Sequence, residues 1–260
     1  MNRDEPDDLR GDPAPAAFGA EEYDQLWRGL EDFLRYNPGA RHRRRLVLGS
    51  LRAHAPAAAT ILDVGCGVGE MVEFLAARLP GRAFTGVDLS PVAVDSCRRR
   101  MPMHDWRVVD ITAGELPAGY DAVLCSELLE HLDEPGPALR RVAAAAKPGG
   151  IVVVTVPSGR VFPTERAVGH VLHPSAEVLQ EWFAGAGLEV LAARRWGWPA
   201  YLAMKWAANL DPDRALAAFG SGRYSWTKRR VNDVAYVLTG AGSLPDSRRG
   251  PQAVLVGRRS

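Results

Sequence analysis

The apolar residues of this chain follow two different spacings, one before and one after residue 58. In the first part they recur every three or four positions, which is the spacing of one helix face. This spacing is carried by Tyr23, Leu26, Trp27, Leu30 and Leu34. It predicts one amphipathic helix that begins at Glu21 and ends near Asn37-Pro38-Gly39, and a second helix follows from Arg43 to His54.

From residue 58 onwards, short apolar runs that are typical of buried strands alternate with helical stretches. The predicted strands are 60–64, 82–87, 106–109, 122–125, 151–156, 188–193 and 253–256, and the predicted helices are 70–79, 91–99, 137–146 and 175–186. Such alternation is typical of a parallel sheet that is covered by helices on both faces. We therefore expect a doubly wound α/β core over residues 58–196 and 252–260, preceded by N-terminal helices over residues 20–57.

Composition narrows the classes of protein that fit this pattern. The 32 basic and 31 acidic side chains leave a formal net charge of +1, which argues against a dedicated nucleic-acid binder. The basic run 41–45 is interpreted as a solvated helix face. No apolar run approaches the ~18 residues of a membrane span, and Cys66, Cys97 and Cys125 are too scattered for a disulfide framework or a cysteine zinc site. We expect a cytoplasmic monomer or homodimer whose residues 1–19 are disordered.

A glycine-rich turn, Asp63-Val-Gly-Cys-Gly-Val-Gly69, joins the first predicted strand to a helix. Glycines at alternate positions allow the backbone to turn sharply and a ligand to approach closely. A dinucleotide fingerprint would have its third glycine at position 70, which is Glu70 here, and no Gly-Lys-Ser/Thr follows. Because two acids flank a helix N-terminus that would otherwise favour anions, the turn predicts a ligand without a pyrophosphate.

Two further acids stand at the ends of the next strands. Asp88 follows the second predicted strand, where a carboxylate can accept hydrogen bonds from both hydroxyls of a ribose. Asp110 closes the third strand and can accept from an exocyclic amine, while the backbone amide of Ile111 can donate to a ring nitrogen. Asp110 alone fits a simple turn equally well. Together these residues predict an adenosine that carries something other than a phosphate chain.

Four motifs follow one another along the chain: Ile61–Gly69, Val87–Ser90, the strand Asp121–Cys125 followed by Glu127-Leu-Leu-Glu-His131, and Lys147-Pro-Gly-Gly150. Over residues 58–196 the chain thereby resembles the class I S-adenosylmethionine-dependent methyltransferases. The resemblance implies S-adenosylmethionine as cofactor and a seven-stranded sheet whose last strand is antiparallel. The cofactor contacts that it implies are Asp63, Gly65, Cys66, Gly67, Asp88, Leu89, Asp110, Ile111 and Ser126.

The segment that follows the fourth strand would face the methyl group in this fold. If it begins as a helix, Glu127, Glu130 and His131 share one face. Three interpretations are open: His131 is a general base that Glu127 or Glu130 orients, the trio binds a divalent metal, or all three are structural. We expect His131 and Glu127 to be catalytic and no metal to be bound.

The acceptor is expected to lie between a loop and a cap. His170 and His173 belong to the loop after the fifth strand, which borders the substrate pocket. The window 196–236 holds eight of the chain's 20 aromatic residues, and a parallel sixth strand would end on the cofactor side. We therefore expect residues 197–251 to form a helical cap, completed by the N-terminal helix, with Trp198 and Tyr201 nearest the substrate.

These features predict methyl transfer to a small molecule, with oxygen as the acceptor atom because a candidate base is present. The carboxylate–histidine spacing is similar to that of quinone-biosynthesis O-methyltransferases. It is also similar to that of small-RNA 3′-terminal ribose methyltransferases, which use further histidines downstream. The alternatives are therefore a metal-assisted RNA ribose 2′-O-methyltransferase and a non-catalytic regulatory protein that binds S-adenosylmethionine.

Overall fold

The computed structural model describes residues 18–220 and 222–260, and seven strands within them form one sheet. The strands are β1 (Thr60–Val64), β2 (Ala83–Asp88), β3 (Asp105–Val108), β4 (Tyr120–Ser126), β5 (Ala146–Pro157), β6 (Leu188–Trp196) and β7 (Gln252–Arg259). Their spatial order is β3-β2-β1-β4-β5-β7-β6. Among them β7 alone runs in the opposite direction to the other six. The predicted fold class is confirmed. Disorder was predicted for residues 1–19, and all of these except Phe18 and Gly19 lie outside the described residues.

Eleven helices within the described residues flank the sheet or extend from it. They are α1 (Ala20–Trp27), α2 (Glu31–Tyr36), α3 (Pro38–His54), α4 (Glu70–Ala76), α5 (Pro91–Arg100), α6 (Pro135–Ala145), α7 (Pro163–Arg166), α8 (Ala176–Gly185), α9 (Ala200–Ala208), α10 (Pro212–Phe219) and α11 (Trp226–Ala241). A single 3₁₀ turn, Leu129–His131, lies between β4 and α6. None of these helices is both long and apolar enough to cross a membrane.

Two apolar layers cover the two faces of the sheet. Because successive side chains of a strand point to opposite faces, Ile61 belongs to one layer and Leu62 to the other. The first layer is completed by helices α3, α4 and α5, and the second by α6 and α8. Burial on both faces explains why the central strands are apolar runs without alternation.

The N-terminal helices differ from the prediction. The single helix expected from Glu21 is wrong: α1 ends at Trp27 and α2 begins at Glu31, since the chain turns at Gly29, and glycine is a poor helix former. Asn37 was expected only to end a helix, but its side chain also accepts a hydrogen bond from Ala40 N (3.1 Å) and caps α3. Pro38 is the first residue of α3, a position that proline favours.

Residues 197–251 are largely helical, as expected, and contain α9, α10 and α11. They follow β6, which is the edge strand of the sheet. The helix α11 packs against α3, where the His42 ring lies 4.4 Å from the Tyr236 ring and 4.3 Å from the Trp196 ring. Helix α11 also contacts α2, so these helices pack against the N-terminal helices.

Candidate active site

A cavity of about 730 Å³ lies where the strand order reverses between β1 and β4. Ligands of open α/β sheets bind at this point, beyond the carboxyl ends of the strands, and the volume is typical of a small-molecule site. All nine predicted cofactor contacts line this cavity. His131, Glu127 and His170 line it as well, so one cavity brings together the two predicted halves of the site.

The glycine loop after β1 has a backbone that only glycine adopts easily. Gly65, Gly67 and Gly69 have φ angles of 74°, 51° and 78°, in the left-handed region that disfavours other residues. The amides of Gly65 and Cys66 both donate to Val87 O (2.9 and 3.0 Å), which fixes the loop against β2. The loop is therefore held in shape by the protein itself.

Helix α1 covers this loop. A Cβ atom at Gly67 would stand 2.9 Å from the Trp27 ring, so glycine is required here by the close approach of α1. The hydroxyl of Ser90 donates to the carboxylate of Asp24, a second anchor for α1. Tyr23 completes the cover, with its ring edge-on to His131 at 5.9 Å.

Asp88 is nearly buried and is held by two backbone amides. Its Oδ2 accepts from Gly67 N (2.7 Å) and its Oδ1 accepts from Ser90 N (2.9 Å). Ser90 itself caps α5 by accepting from Ala93 N (3.1 Å), so the carboxylate is not needed as a cap. Each carboxylate oxygen has a further lone pair, which suits it to accept from two ribose hydroxyls.

Asp63 lacks a partner. Its Oδ2 is buried and has no hydrogen bond among the described residues, although the side chain lines the cavity. Burial, with a contribution from the charge of Asp88, raises the Asp63 pKa to about 7. A buried carboxylate of this kind calls for a cationic partner. The α-ammonium group of S-adenosylmethionine supplies one, so the residues present fit this cofactor.

Replacing Asp63 by asparagine is expected to raise the thermal midpoint of the cofactor-free protein, and by more at high pH. Because the folded pKa is raised from 3.8 to about 7, the folded state gains most from this group below pH ~4 and loses that stability as the pH rises towards 7. We expect a gain on the order of 2 kcal/mol at pH 8, or about 4–8 °C, and a smaller one at pH 5. Thermal denaturation at the two pH values measures it.

The matched control is Asp95→Asn, which changes a half-exposed carboxylate on α5. Its thermal midpoint should follow the wild-type value at both pH values. A difference between Asp63→Asn and wild type that is equal at pH 5 and pH 8 would contradict the assigned titration.

Asp110, the predicted adenine contact, has one of its two carboxylate oxygens engaged in a local turn. Its Oδ1 accepts from the amide and the hydroxyl of Thr112, both at 2.7 Å. The turn and the adenine contact that the sequence left open are therefore compatible, because the second oxygen takes no part in the turn. Leu89 and Ile111 supply apolar lining beside it.

Glu127, which lines the part of the cavity where the acceptor is expected, has an unusual backbone conformation. It is the only non-glycine residue with positive φ (56°) among the described residues, and such strain clusters at functional sites. Its Oε1 accepts from Gln252 Nε2 (2.8 Å) and Thr155 Oγ1 (3.2 Å), and its Oε2 lies 3.4 Å from an Arg43 guanidinium nitrogen. The helix considered for this segment does not begin at Glu127; only a 3₁₀ turn forms at residues 129–131, so the trio shares no α-helical face.

His131 presents a lone pair to the cavity. Its Nδ1 lies 3.0 Å from Gly169 O, and because a carbonyl oxygen only accepts, Nδ1 carries the proton. Burial lowers the His131 pKa to about 4, so the ring is neutral near pH 7 with Nε2 unprotonated. This nitrogen is free to accept a hydrogen bond or a proton.

His170 is oriented in a similar way. His173 Nδ1 donates to Arg160 O (3.1 Å), which leaves His173 Nε2 to accept from His170 Nδ1 (3.0 Å). The Nε2 of His170 is therefore also unprotonated. Of the two histidines, His170 lines the cavity and His173 lies behind it, so the predicted acceptor contact concerns His170.

Trp198 and Tyr201 are not among the described residues that line the cavity. Tyr201 is buried against Trp196, with ring centroids 5.1 Å apart, and Trp198 lies near Arg249. Helix α11 of the same segment packs on α2 and α3, and no described residue of the segment 197–251 lines the cavity. The aromatic cover of the cavity comes instead from α1 and α2.

Sequence reasoning missed two arginines. Arg43 and Arg44 belong to the basic run that was interpreted as solvated, but both line the cavity. Arg43 pairs with Glu127 and Arg44 with Glu70 (3.5 Å). The spacing of the apolar residues in α3 could have indicated that both arginines point inward. The buried residues Val47 and Leu51 lie on the same side of this helix as the two arginines.

Glu130 is a second acid without a partner. It is fully buried, and neither carboxylate oxygen has a hydrogen bond among the described residues. Burial and the charge of Glu127 raise its pKa well above the usual range. Ligand atoms of Glu130, His131 and His170 all lie within 4.8 Å of one another, a grouping that could hold a metal ion.

Comparison with known proteins agrees with this geometry. A protein-family model described as a methyltransferase domain matches residues 39–193. Trans-aconitate 2-methyltransferase from Paracidovorax citrulli is 33% identical over 125 residues, covering 46% of this chain and 47% of the relative. Ubiquinone biosynthesis O-methyltransferase from Xanthomonas axonopodis pv. citri is 42% identical over 101 residues, covering 36% and 41%. The chain thus matches less than half the length of these curated relatives.

Among solved structures, the [4+2]-cyclase SpnF superimposes with a TM-score of 0.61 at 22% identity, covering 95% of this chain and 98% of the other. This likeness shows the fold alone. The name of that protein, a cyclase, shows that the fold is compatible with more than one reaction. The family match spans the glycine loop, Asp88, Asp110 and the segment after β4. The chain therefore belongs to the class I S-adenosylmethionine-dependent methyltransferases.

Proposed function

We propose that this protein transfers the methyl group of S-adenosylmethionine to an oxygen atom of a small-molecule acceptor. The observation that carries the proposal is that the cofactor residues and two neutral histidines face one cavity. The names of the curated relatives, a trans-aconitate methyltransferase and an O-methyltransferase of ubiquinone biosynthesis, support a small acceptor and an oxygen atom.

The cofactor would be held at three points. Asp88 would accept from the ribose hydroxyls, Asp110 and the Ile111 amide would bind the adenine edge, and Asp63 would pair with the α-ammonium group. When bound, the cofactor supplies an electrophilic methyl group on a sulfonium. The residues of the chain then have to orient the acceptor in line with that methyl group and exclude water.

His131 is the proposed base. In the transfer, the acceptor oxygen would displace the sulfur from the methyl carbon, with S-adenosylhomocysteine as the leaving group. The acceptor proton passes to His131 Nε2, which is unprotonated because Nδ1–H is used by Gly169 O. Glu127 does not orient His131; it is tied to Arg43, Gln252 and Thr155, so we assign it a role in shaping the acceptor end.

The apolar cover suits an acceptor with an apolar part. Tyr23, Trp27 and Phe33 line the cavity from α1 and α2, together with Leu26 and Leu30. Such side chains exclude water from the reacting groups. Aromatic faces close to a sulfonium would also stabilise its positive charge.

A second candidate is the metal-assisted ribose 2′-O-methyltransferase. The observation that favours it is the grouping of Glu130, His131 and His170, together with the unpartnered carboxylate of Glu130. In that case the two histidines would be ligands through Nε2, the atom that each of them exposes. The net charge of +1 argues against an RNA substrate.

The two candidates, and the non-catalytic alternative, are separated by one assay. The full chain is incubated with S-adenosylmethionine and a metabolite extract, and S-adenosylhomocysteine is quantified with and without EDTA. We expect release that depends on the extract and persists in EDTA. Release that needs short RNA and is abolished by EDTA would favour the second candidate. Cofactor binding by calorimetry without any release would contradict an enzymatic role.

A further inference from the structure

Helix α11 is apolar on the face that points away from the rest of the protein. Its inner face packs on α2, α3 and α9, where Asp233 pairs with Arg41 (2.8 Å) and the Tyr236 ring stacks on His42 (4.4 Å). The outer face carries four apolar side chains that are 58–67% exposed, and we call them the apolar stripe: Val231, Val234, Val237 and Leu238. A helix face that meets only water is usually charged or polar, so the stripe calls for a partner.

The exposed face extends over the whole length of α11. Trp226, its first residue, is 70% exposed, and its ring centroid lies 5.6 Å from the Arg230 guanidinium carbon. Alternating steps of four and three residues run through positions 227, 231, 234, 238 and 241, and all five are exposed. This is the spacing of the seam between two helices that pack along their length.

The size of this face fits an interface. Four aliphatic side chains and one tryptophan, each more than half exposed, amount to a patch on the order of 500 Å², the size at which exposed apolar surface is often functional. A standard interface buries about 800 Å² of each partner. The stripe and Trp226 therefore supply more than half of what a dimer needs, and polar residues at the rim would supply the rest.

Two other occupants match the stripe less well. Residues 1–17 lie outside the described ones, but they hold only Met1 and Leu9 as large apolar residues and five acidic side chains, so they cannot fill four apolar positions. A helix that lies on a membrane surface is rich in Lys and Arg. Residues 234–245 contain no charged side chain, so half of α11 lacks this feature.

The charges of α11 favour an antiparallel pair. Among the exposed residues of this helix only Arg230 is charged, and the last turn has no basic residue. The C-terminal end of a helix carries a partial negative charge that a cation stabilises. In an antiparallel pair, Arg230 of each copy meets this end of the other copy, whereas a parallel pair places two arginines side by side. Its contact with Asp233 is long (3.7 Å) and exposed, so it leaves Arg230 able to do this.

We infer that α11 is the interface of a homodimer in which the apolar stripes of two copies pack antiparallel about a two-fold axis near Val234. Val234 lies midway between Thr227 and Ala241, so pairing about this residue brings the whole stripe into contact. Such an interface uses the same surface of both copies and closes without further growth. The inference does not depend on methyl transfer, because the mass of the chain can be measured without cofactor or acceptor.

The test is sedimentation equilibrium of the full chain. We expect a reversible dimer with a dissociation constant in the micromolar range, the weak end for interfaces of standard size. Val234→Glu should weaken dimerisation at least about 100-fold, because it would bury an unpaired charge at the centre of the interface. The matched control is Met103→Glu, which adds the same charge at a 74% exposed apolar residue between α5 and β3 and should dimerise like wild type.

Cysteine variants test the direction of the pair. The three native cysteines are buried, so a cysteine placed on α11 is the only exposed thiol. On air oxidation, Val234→Cys should form a disulfide-linked dimer on non-reducing gels. Thr227→Cys should not link to itself, but a mixture of Thr227→Cys with Ala241→Cys should form a linked dimer.

The contrary outcomes are distinct. A wild-type chain that is monomeric at about 100 µM would overturn the inference, whether or not it sediments with phosphatidylglycerol vesicles. A dimer that persists in Val234→Glu would overturn it too, because the interface would then lie elsewhere. Linkage of Thr227→Cys to itself, and not to Ala241→Cys, would contradict the antiparallel pair. If circular dichroism shows that Val234→Glu does not fold, Leu238→Glu decides in its place.

Discussion

Asp88→Ala is expected to weaken S-adenosylmethionine binding at least about 100-fold, equivalent to about 2.7 kcal/mol. Two effects add in this variant. The ribose hydroxyls lose a charged acceptor, and hydrogen bonds to charged groups contribute about 1.5–3 kcal/mol each. In addition, Gly67 N and Ser90 N lose the oxygens that hold them (2.7 and 2.9 Å), so the glycine loop loses its fixed shape. Calorimetric titration of the full chain measures the affinity.

Two further variants separate these effects. Asp88→Asn keeps one oxygen acceptor and nearly the same volume, so we expect a smaller loss than in the alanine variant. Asp95→Ala removes a half-exposed acid of α5, the helix that follows Asp88, and should retain the wild-type affinity. Affinity of Asp88→Ala within about threefold of wild type would refute the ribose assignment, provided that circular dichroism shows a folded chain.

His131→Ala is expected to lower kcat by about 10²- to 10³-fold, which is the usual contribution of a positioned general base. Cofactor affinity should change by less than about twofold, because His131 faces the acceptor end and none of its described hydrogen bonds reaches the glycine loop. Release of S-adenosylhomocysteine gives kcat, and calorimetry gives the cofactor affinity. The separation of these two quantities distinguishes chemistry from a general loss of structure.

His104→Ala is the matched control for this prediction. His104 immediately precedes β3, contacts Phe84 and Trp106, and does not line the cavity. Its variant should keep the wild-type kcat. Wild-type turnover in His131→Ala would leave only a structural role for this side chain. A large loss of cofactor affinity in the same variant would show that it acts on the cofactor end.

The strands, and the group of residues that lines the cavity beside the glycine loop, could be predicted because their signals are local. A central parallel strand is buried on both faces, so β5 is an uninterrupted apolar run wherever it pairs. The glycine loop and Asp88 belong to short motifs whose spacing is set by one strand-to-helix turn. Ambiguity began where one signal has two meanings: Asn37-Pro38-Gly39 both ends α2 and begins α3.

The cover of the cavity could not be predicted from local patterns. The order of strands in the sheet decides that β6 is at the edge, and no described residue of the segment 197–251, Trp198 and Tyr201 included, lines the cavity. The left-handed backbone of Glu127 likewise occurs together with long-range contacts of its side chain to Gln252 and Arg43. Sequence spacing carries no record of such contacts, because they join residues that are far apart in the chain.

The hydrogen bonds that radiate from Asp88 have a thermodynamic consequence. Asp88 holds Ser90, and the Ser90 hydroxyl holds Asp24 of α1. If the cofactor binds Asp88 as proposed, its binding and the docking of α1 would be linked equilibria, each of which shifts the other by the same free energy. A substitution on the outer face of α1 that weakens its docking would lower the apparent cofactor affinity without touching the cofactor. The apparent cofactor affinity would therefore depend on how firmly α1 is docked as well as on the residues that contact the cofactor.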